Sequence, residues 1–384
     1  MTAAETNKVD KGPNSTITSI TGLTTALSIG QGGTGATTAD AARATLGIPG
    51  RNKIINGDCN IAQRPSFTFT SNGTPVGYGG PDRFKVDNTT GGGITQSQGT
   101  ITYGGIAKKA VVQTMTTSST NIGGGSYLSG IMQIIEGAIA YPLLGQAATL
   151  SFIFNTNFTG TFSVAVRDGT SANSFVTTFA AVANTPVKVS LPILTIATTL
   201  NIPNSNLAGL IVSIGSANTG TYQTSTLNTW QTGNFFSASG SSGWCATTGN
   251  FISATEIQLE SGTSASPYEH KPVWLNLLEC RRYAYRQESG VGVAMGHYRA
   301  NTVTASFVWW HPVCMRAAPS LYVSAAAAYN VYGTAGAPLS GSQSVVTSDV
   351  NTIRISVNTT AQGTDSPAML AVASGQWHEI SAEL

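Results

Sequence analysis

From about residue 53 to residue 272 the sequence is cut into short runs in which apolar and polar residues alternate, and each run is closed by a cluster of Gly, Asn, Ser or Thr. Thr149-Leu150-Ser151-Phe152-Ile153-Phe154, Thr161-Phe162-Ser163-Val164-Ala165-Val166 and Pro186-Val187-Lys188-Val189-Ser190-Leu191 are examples. A β-strand turns successive side chains to opposite faces, so a period of two marks a strand with one face in a core. In the second run Phe162, Val164 and Val166 fall on one face, and Thr161, Ser163 and Ala165 on the other. The expectation is a sheet with one buried face, and many such short strands separated by turns make a sandwich. The fold class read from this pattern is all-β.

Only 9% of the residues are Asp, Glu, Lys or Arg, against about 25% in an ordinary soluble domain. Disorder does not follow, because disordered chains pair low hydrophobicity with high net charge, and here 41% are hydrophobic with a net charge of +2. Thr, Ser, Asn, Gln and 43 Gly take the place of charge, which suits strands with a polar face and tight turns. At 384 residues the chain exceeds the size at which one core keeps growing, so two or three packed units are expected. Counterion release from nucleic acid needs clustered Lys and Arg, so nucleic acid is set aside as a partner. Neutral or weakly charged glycans, held by hydrogen bonds and aromatic stacking, fit such a surface.

Cys59, Cys245, Cys280 and Cys314 show no CxxC spacing and do not combine with the four histidines into a zinc pattern, so free, mostly buried thiols are expected. The first ten residues lack the apolar centre of a signal peptide and no run approaches 18 apolar residues, which reads as neither exported nor membrane-spanning by its own signals. An extracellular role then implies synthesis in a host cytoplasm and release by lysis.

Residues 1 to about 21 are polar and turn-rich. Thr37 or Thr38 as N-cap, Asp40 in the first turn and Gly47 after the last predict a short helix. Gly30, Gly32 and Gly35 match G-x-G-x-x-G, but only Leu27-Ser28-Ile29 precedes them and no acid stands on a strand end near position 55, so a dinucleotide site is not supported. Leu275 to Arg286 predicts a connecting helix with Leu275, Leu278 and Arg282 on one side and Glu279 three before Arg282. Alternation resumes from 290 to 384, broken at Gly333 to Gly336 and at Gly341.

Four segments, in order, resemble the tail fibres of tailed phages. Gly32-Gly33-Thr34-Gly35-Ala36-Thr37-Thr38-Ala39, with Ala42-Arg43 and Leu46-Gly47, is similar to a short element of these fibres. Asn56-Gly57-Asp58-Cys59-Asn60-Ile61-Ala62-Gln63-Arg64 with Asp82-Arg83-Phe84 resembles the opening of a carbohydrate-binding-module-like jelly roll. Glu256 to Gly262, through Pro267-Tyr268-Glu269, resembles its closing strand, and Cys280-Arg281-Arg282-Tyr283 the stretch that follows. Pro312 to Ser320 and the final Ala382-Glu383-Leu384 resemble the C-terminal fibre domain. Cys59 and Ala62 depart from the family, which often places aromatic residues there. The resemblance spans roughly residues 25 to 384. It implies an attachment region at 1–50 for a baseplate or tail protein, a jelly roll at 51–273, a connecting helix at 274–288 and a C-terminal β receptor-binding domain at 289–384. It further implies a homotrimer on the virion tail that adsorbs to bacterial surface polysaccharide or another receptor.

Glycan recognition sets an aromatic face against a sugar ring and hydrogen bonds against its hydroxyls. In Val303 to His311, alternation places Val303, Ala305, Phe307 and Trp309 on a core face, and Thr304, Ser306, Val308 and Trp310 on the other. Trp310 is therefore expected to be exposed or to sit in a subunit interface. His297 and Tyr298 flank an expected turn near Gly296, and with Trp310, Tyr329 and Tyr332 they form the candidate ligand-binding set. His270, His311 and His378 are open to either reading, a scattered histidine being more often a hydrogen-bonded structural residue than a ligand contact.

A polysaccharide depolymerase would need two carboxylates about 5 to 9.5 Å apart, and dedicated ones carry long repeats that are missing here. Asp58, Asp82 and Asp87 read as structural, through turn-forming bonds, an ion pair with Arg83 or a bound calcium. No catalytic residue, metal ligand or other cofactor is assigned. The remaining alternative is a purely structural spacer capped by another tip protein.

Overall fold

The structure is a computed structural model that describes residues 27–28, 33–35, 42, 46, 49–69, 77–119, 126–218, 220–241, 243–288, 292–298, 304–324, 328–332, 339–341, 343–358 and 366–384. The chain forms two units, Met1–Ile48 and Pro49–Leu384. In the first, Gly33 N–H bonds Ser28 O at 3.0 Å and Gly35 N–H bonds Leu27 O at 2.7 Å. Gly35 there has φ +66°, so its part of the G-x-G-x-x-G match is a closed turn. Leu46 N–H to Ala42 O at 2.9 Å is one helical bond; the rest of the expected helix and the polar residues 1–21 lie outside the described residues.

The larger unit is all-β. One six-stranded sheet runs Phe67–Phe69, Gly93–Tyr103, Ile106–Thr117, Phe251–Ser261, Ala148–Thr156, Val187–Ile193 in spatial order. The sheet facing it runs Trp230–Thr232, Asn173–Ala181, Gly160–Asp168, Ala208–Asn218, Ile131–Glu136, Lys85–Val86, Gly77–Tyr78. Counted from Ile106–Thr117, the long strands lie first-eighth-third-sixth in one sheet and second-seventh-fourth-fifth in the other. That is the wrap of a jelly roll. Phe162, Val164 and Val166 point into the shared core as alternation requires, where Phe154 meets Phe162 and Phe179 with ring centroids 5.0 and 4.9 Å apart.

The opposite face of that sheet is not open as expected: Ser163 and Ala165 are fully buried. Residues 222–228 and 233–238, on either side of the edge strand Trp230–Thr232, lie over it. Leu227 and Phe235 pack on Ala165, Val176 and Ala238, Ala238 N–H donates to Ser163 Oγ at 2.9 Å, and Thr177 Oγ1 and Arg167 Nη1 reach Asn228 and Asn234 at 2.7 and 2.8 Å. The hydroxyls that look solvent-facing in sequence are instead partners of a covering segment, since a buried polar group must be bonded.

The helix is Val273–Arg281, shorter than expected. Its buried residues are Asn276 and Cys280, one turn apart, while Leu278 is exposed. Glu279 pairs with Lys271 at 2.9 Å and Arg282 with Glu136 at 2.7 Å, so the expected Glu279–Arg282 pair is replaced by two longer-range ones. Ala284 to Arg286 belong to a strand, Ala284–Glu288, that pairs with Trp377–Ser381. Ser320–Val323 completes this three-stranded sheet.

A seven-stranded sheet follows, ordered Leu339–Gly341, Tyr329–Tyr332, Ser366–Val372, Gly292–Tyr298, Thr304–Trp310, Thr352–Asn358, Gln343–Ser348. Phe307, Trp309, Val331, Ile355 and Leu370 from it share a core with Ile380, Leu321 and Tyr285 of the three-stranded sheet. Gly296 is not at a turn: it pairs with Phe307 and Ala368 in mid-strand. A Cβ there would collide with Ser306 O and the Phe307 ring, so glycine serves close packing.

His378 lies in this core, 0% exposed, with its ring 4.6 Å from Trp309 and 5.6 Å from Tyr329. Neither ring nitrogen has a partner among the described residues, and burial pushes its pKa from 6.5 down to about 4. The unfolded chain therefore binds a proton that the folded chain refuses between pH 6.5 and about 4. This part of the stability is intact above 6.5 and is lost as pH falls toward 4, by on the order of 3 kcal/mol. Urea unfolding of wild type and His378→Phe across that range should show the slope in the first and its reduction in the second; parallel curves would contradict the assignment.

Candidate functional site

The loop that opens the sandwich is held by its own side chains. Asn56, at φ +58°, bonds Ile61 O and Asp82 O through Nδ2 at 2.8 and 3.0 Å and accepts Ile61 N–H. This delivers Arg64 and Arg83 to the place where the three-stranded sheet meets the sandwich. Arg64 Nη2 and Nε donate to Glu379 Oε1 at 2.6 and 2.8 Å, and Nη1 donates to Glu383 Oε1 at 3.0 Å. Arg83 pairs with Glu383 Oε2, donates to Ile134 O at 2.7 Å and sits 3.5 Å from the Tyr283 ring centroid. Tyr283 donates its hydroxyl to Glu136 at 2.7 Å.

Burial alone would push the Arg64 guanidinium down, but Glu379 holds it above its ordinary value. Burial raises the Asp82 carboxyl, against the pull of Arg64. Arg83, with φ +74°, takes a backbone conformation rare outside glycine; its three partners hold it there.

Above this junction is a cleft of about 620 Å³. One wall is the sandwich edge, with Phe67, Phe69 and Tyr78; the floor is the outer face of the three-stranded sheet. Strand register sets Tyr322, Glu379 and Arg286 in one row across that floor, because residues directly opposite share a face. Ser320 and Ser381 form the next row, and Trp377 stands two residues from Glu379 with the Arg286 guanidinium 4.0 Å over its ring. Tyr322 is 53% and Phe67 44% exposed. Aromatic faces, a carboxylate, a guanidinium and hydroxyls thus converge in one concave space, the composition expected of a small-ligand site.

The residues singled out in the sequence lie elsewhere. Trp309 is 7% and Trp310 71% exposed, the split that alternation gave. Trp310, His297 and Tyr332 share the outer face of the seven-stranded sheet: Tyr332, Met369, Met295 and Val308 form one row, with His297 and Trp310 two residues to either side of it. That separation along the strands is about 13 Å, so they share a flat face rather than a pocket. Tyr329 is withdrawn as a ligand-binding candidate: it is 0% exposed in the core, because strand alternation sends 329 and 331 inward. The side chain of Tyr298 lies outside the described residues.

Tyr322 and Trp377 carry no local signal of a site, and only the fold brings them to Arg286 and Glu379. Asp58 accepts bonds from Asn60 and Asn276 and Asp82 from Gln63, whereas Asp87 lies 3.7 Å from Lys85. Arg83 pairs with none of the three but with Glu383. Among the described residues no group of three or more His, Cys, Asp or Glu is placed to hold a metal, and no helix is long and apolar enough to cross a membrane. Cys59, Cys245 and Cys280 are free and buried, and Cys314 is exposed.

No protein-family model and no curated protein matches the chain. Among solved structures, a Bacteroides thetaiotaomicron protein described as sugar binding aligns at TM-score 0.29 and 12% identity, covering 55% of this chain and 100% of its own. The family 11 carbohydrate-binding module of a Clostridium thermocellum cellulosomal cellulase aligns at TM-score 0.26 and 10% identity, covering 49% and 97%. A CBM22 tandem domain of Paenibacillus barcinonensis aligns at 0.24 and 9%, covering 78% and 88%.

Removing Arg83 takes away one of the two buried cations on Glu383, the bond to Ile134 O and the contact with the Tyr283 ring, and breaking a buried pair is costly. Arg83→Met should therefore lower the unfolding free energy by about 3 kcal/mol or more, measured by urea denaturation; a loss below about 1 kcal/mol, the range of a surface pair, would show that the junction does not hold the unit together.

Proposed function

We propose that this chain is a non-catalytic fibre protein of a tailed-phage virion that recognises a bacterial surface glycan. The observation that carries the binding role is the cleft, where Tyr322, Trp377, Arg286 and Glu379 offer aromatic faces and hydrogen-bonding groups side by side. The fibre role is supported by the ordered resemblance of four segments. Three of them supply the junction itself: Arg64 and Arg83 from the second, Tyr283 from the third, and Glu383 from the last. In this reading residues 1–50 attach to a baseplate or tail protein, and the chain leaves its host by lysis.

Homotrimer formation is part of the proposal. Met295, Val308 and Trp310 are 69%, 45% and 71% exposed on one flat face, and contiguous apolar surface of this kind marks association. Three copies multiply a weak site into firm attachment. The same face favours a second reading, in which another tip protein covers it and this chain is a spacer.

Deleting residues 288–384 is a poor test, because it removes Glu379 and Glu383 from Arg64 and Arg83 and leaves buried cations unpaired. The intact chain should instead be presented to bacterial cells and to arrayed surface polysaccharides, with released oligosaccharides assayed in parallel. Saturable binding without products is expected. Release of oligosaccharides would establish a depolymerase, and absence of binding together with normal adsorption of virions lacking the chain would leave the spacer.

A further inference from the structure

The polar groups of the cleft are unevenly satisfied. Both Arg64 bonds to Glu379 end on Oε1, and Oε2 accepts nothing from the described residues. Arg286 spends Nε on Glu288 at 2.8 Å, and neither of its Nη groups has a hydrogen-bond acceptor among the described residues. The Tyr322 hydroxyl and Ser320 Oγ likewise have no partner there. Register places Arg286 and Glu379 directly opposite each other on adjacent strands, so the free acceptor and the free donors face the same cleft. The inward residues of these strands, Leu321, Ile380 and Tyr285, are packed in the core, which fixes the floor.

We infer that the cleft takes an uncharged sugar ring with two adjacent hydroxyls. One hydroxyl donates to Glu379 Oε2, and its neighbour accepts from an Arg286 Nη. The apolar face of the ring lies on Tyr322 against Phe67, and Ser320 reaches a further hydroxyl. Arg64 is a positioning residue: two charge-assisted bonds on one oxygen fix the plane of the carboxylate, so the other oxygen is oriented before the ligand arrives. A sugar carboxylate or phosphate in place of the first hydroxyl would meet the free oxygen of Glu379 with no proton between them, a repulsion that selects against an acidic group at that position. This rests on the glycan-binding reading above and adds the class of sugar and the atoms that read it.

The test uses the full chain, with neutral hexose disaccharides and the matching uronate-containing disaccharides titrated by calorimetry. Tyr322→Ala and Arg286→Ala change groups that face the cleft, and Trp274→Ala, an exposed helix residue outside the cleft lining, serves as control. Unfolding midpoints verify that each variant is folded. Wild type and Trp274→Ala should bind a neutral disaccharide, and each cleft variant should lose about tenfold or more in affinity. Unchanged affinity in folded Tyr322→Ala and Arg286→Ala would overturn the site while leaving glycan binding in place. Preference for the uronate sugars, lost in Arg286→Ala, would overturn the neutral class. If wild type binds neither these disaccharides nor any arrayed polysaccharide, both the inference and the glycan-binding reading fall.

Discussion

Burying a guanidinium without a counter-charge is costly, and for Arg64 and Arg83 this ties the two ends of the larger unit together. Arg64 and Glu379 are 315 residues apart in sequence, Arg83 and Glu383 are 300 apart, yet their largely buried side chains meet. Once Arg64 and Arg83 are placed by the loop around Asn56, the strand Trp377–Ser381 must arrive to neutralise them. That strand is the centre of the three-stranded sheet, so its position also sets Ser320–Val323 and Ala284–Glu288. The cleft is a by-product of this closure, since its floor is the outer face of the docked sheet and its wall is the sandwich edge.

The strands and their inward residues were largely legible. Alternation separated Trp309 from Trp310 and placed Phe162, Val164 and Val166 in the core, because period two is a direct consequence of backbone geometry. It failed where both faces of a sheet are covered. Ser163 and Thr177 look like surface residues, and nothing local says that Ala238 and Asn228 will bond them. Tyr329 shows the same weakness: without knowing the register of its short strand, inward and outward cannot be told apart. The helix was misjudged for another reason. Its buried side is Asn276 and Cys280, which an apolar-period search passes over in favour of Leu275 and Leu278.

The site was the least legible part. Tyr322, Glu379 and Arg286 come from three strands separated in sequence by tens of residues, and only strand pairing puts them in a row. The resemblance-bearing segments were visible as motifs, but their shared reason was not: Arg64, Arg83, Tyr283 and Glu383 belong to one buried junction. Such motifs mark what holds the unit together more than what it binds. The covered outer face of the sandwich points the same way. With residues 222–228 and 233–238 occupying that face, it is packed interior and not a binding surface.

The doubled bonding of Arg64 on a single oxygen of Glu379 has a mechanical meaning. Any pull on a ligand held by the other oxygen is passed through the carboxylate to Arg64 and from there into the sandwich. The links to an uncharged ligand are the weaker members of that series, because charge-assisted bonds are roughly twice as strong as neutral ones. On the binding proposed above, a ligand would let go first under load. The anchorage stays whole, ready to engage again.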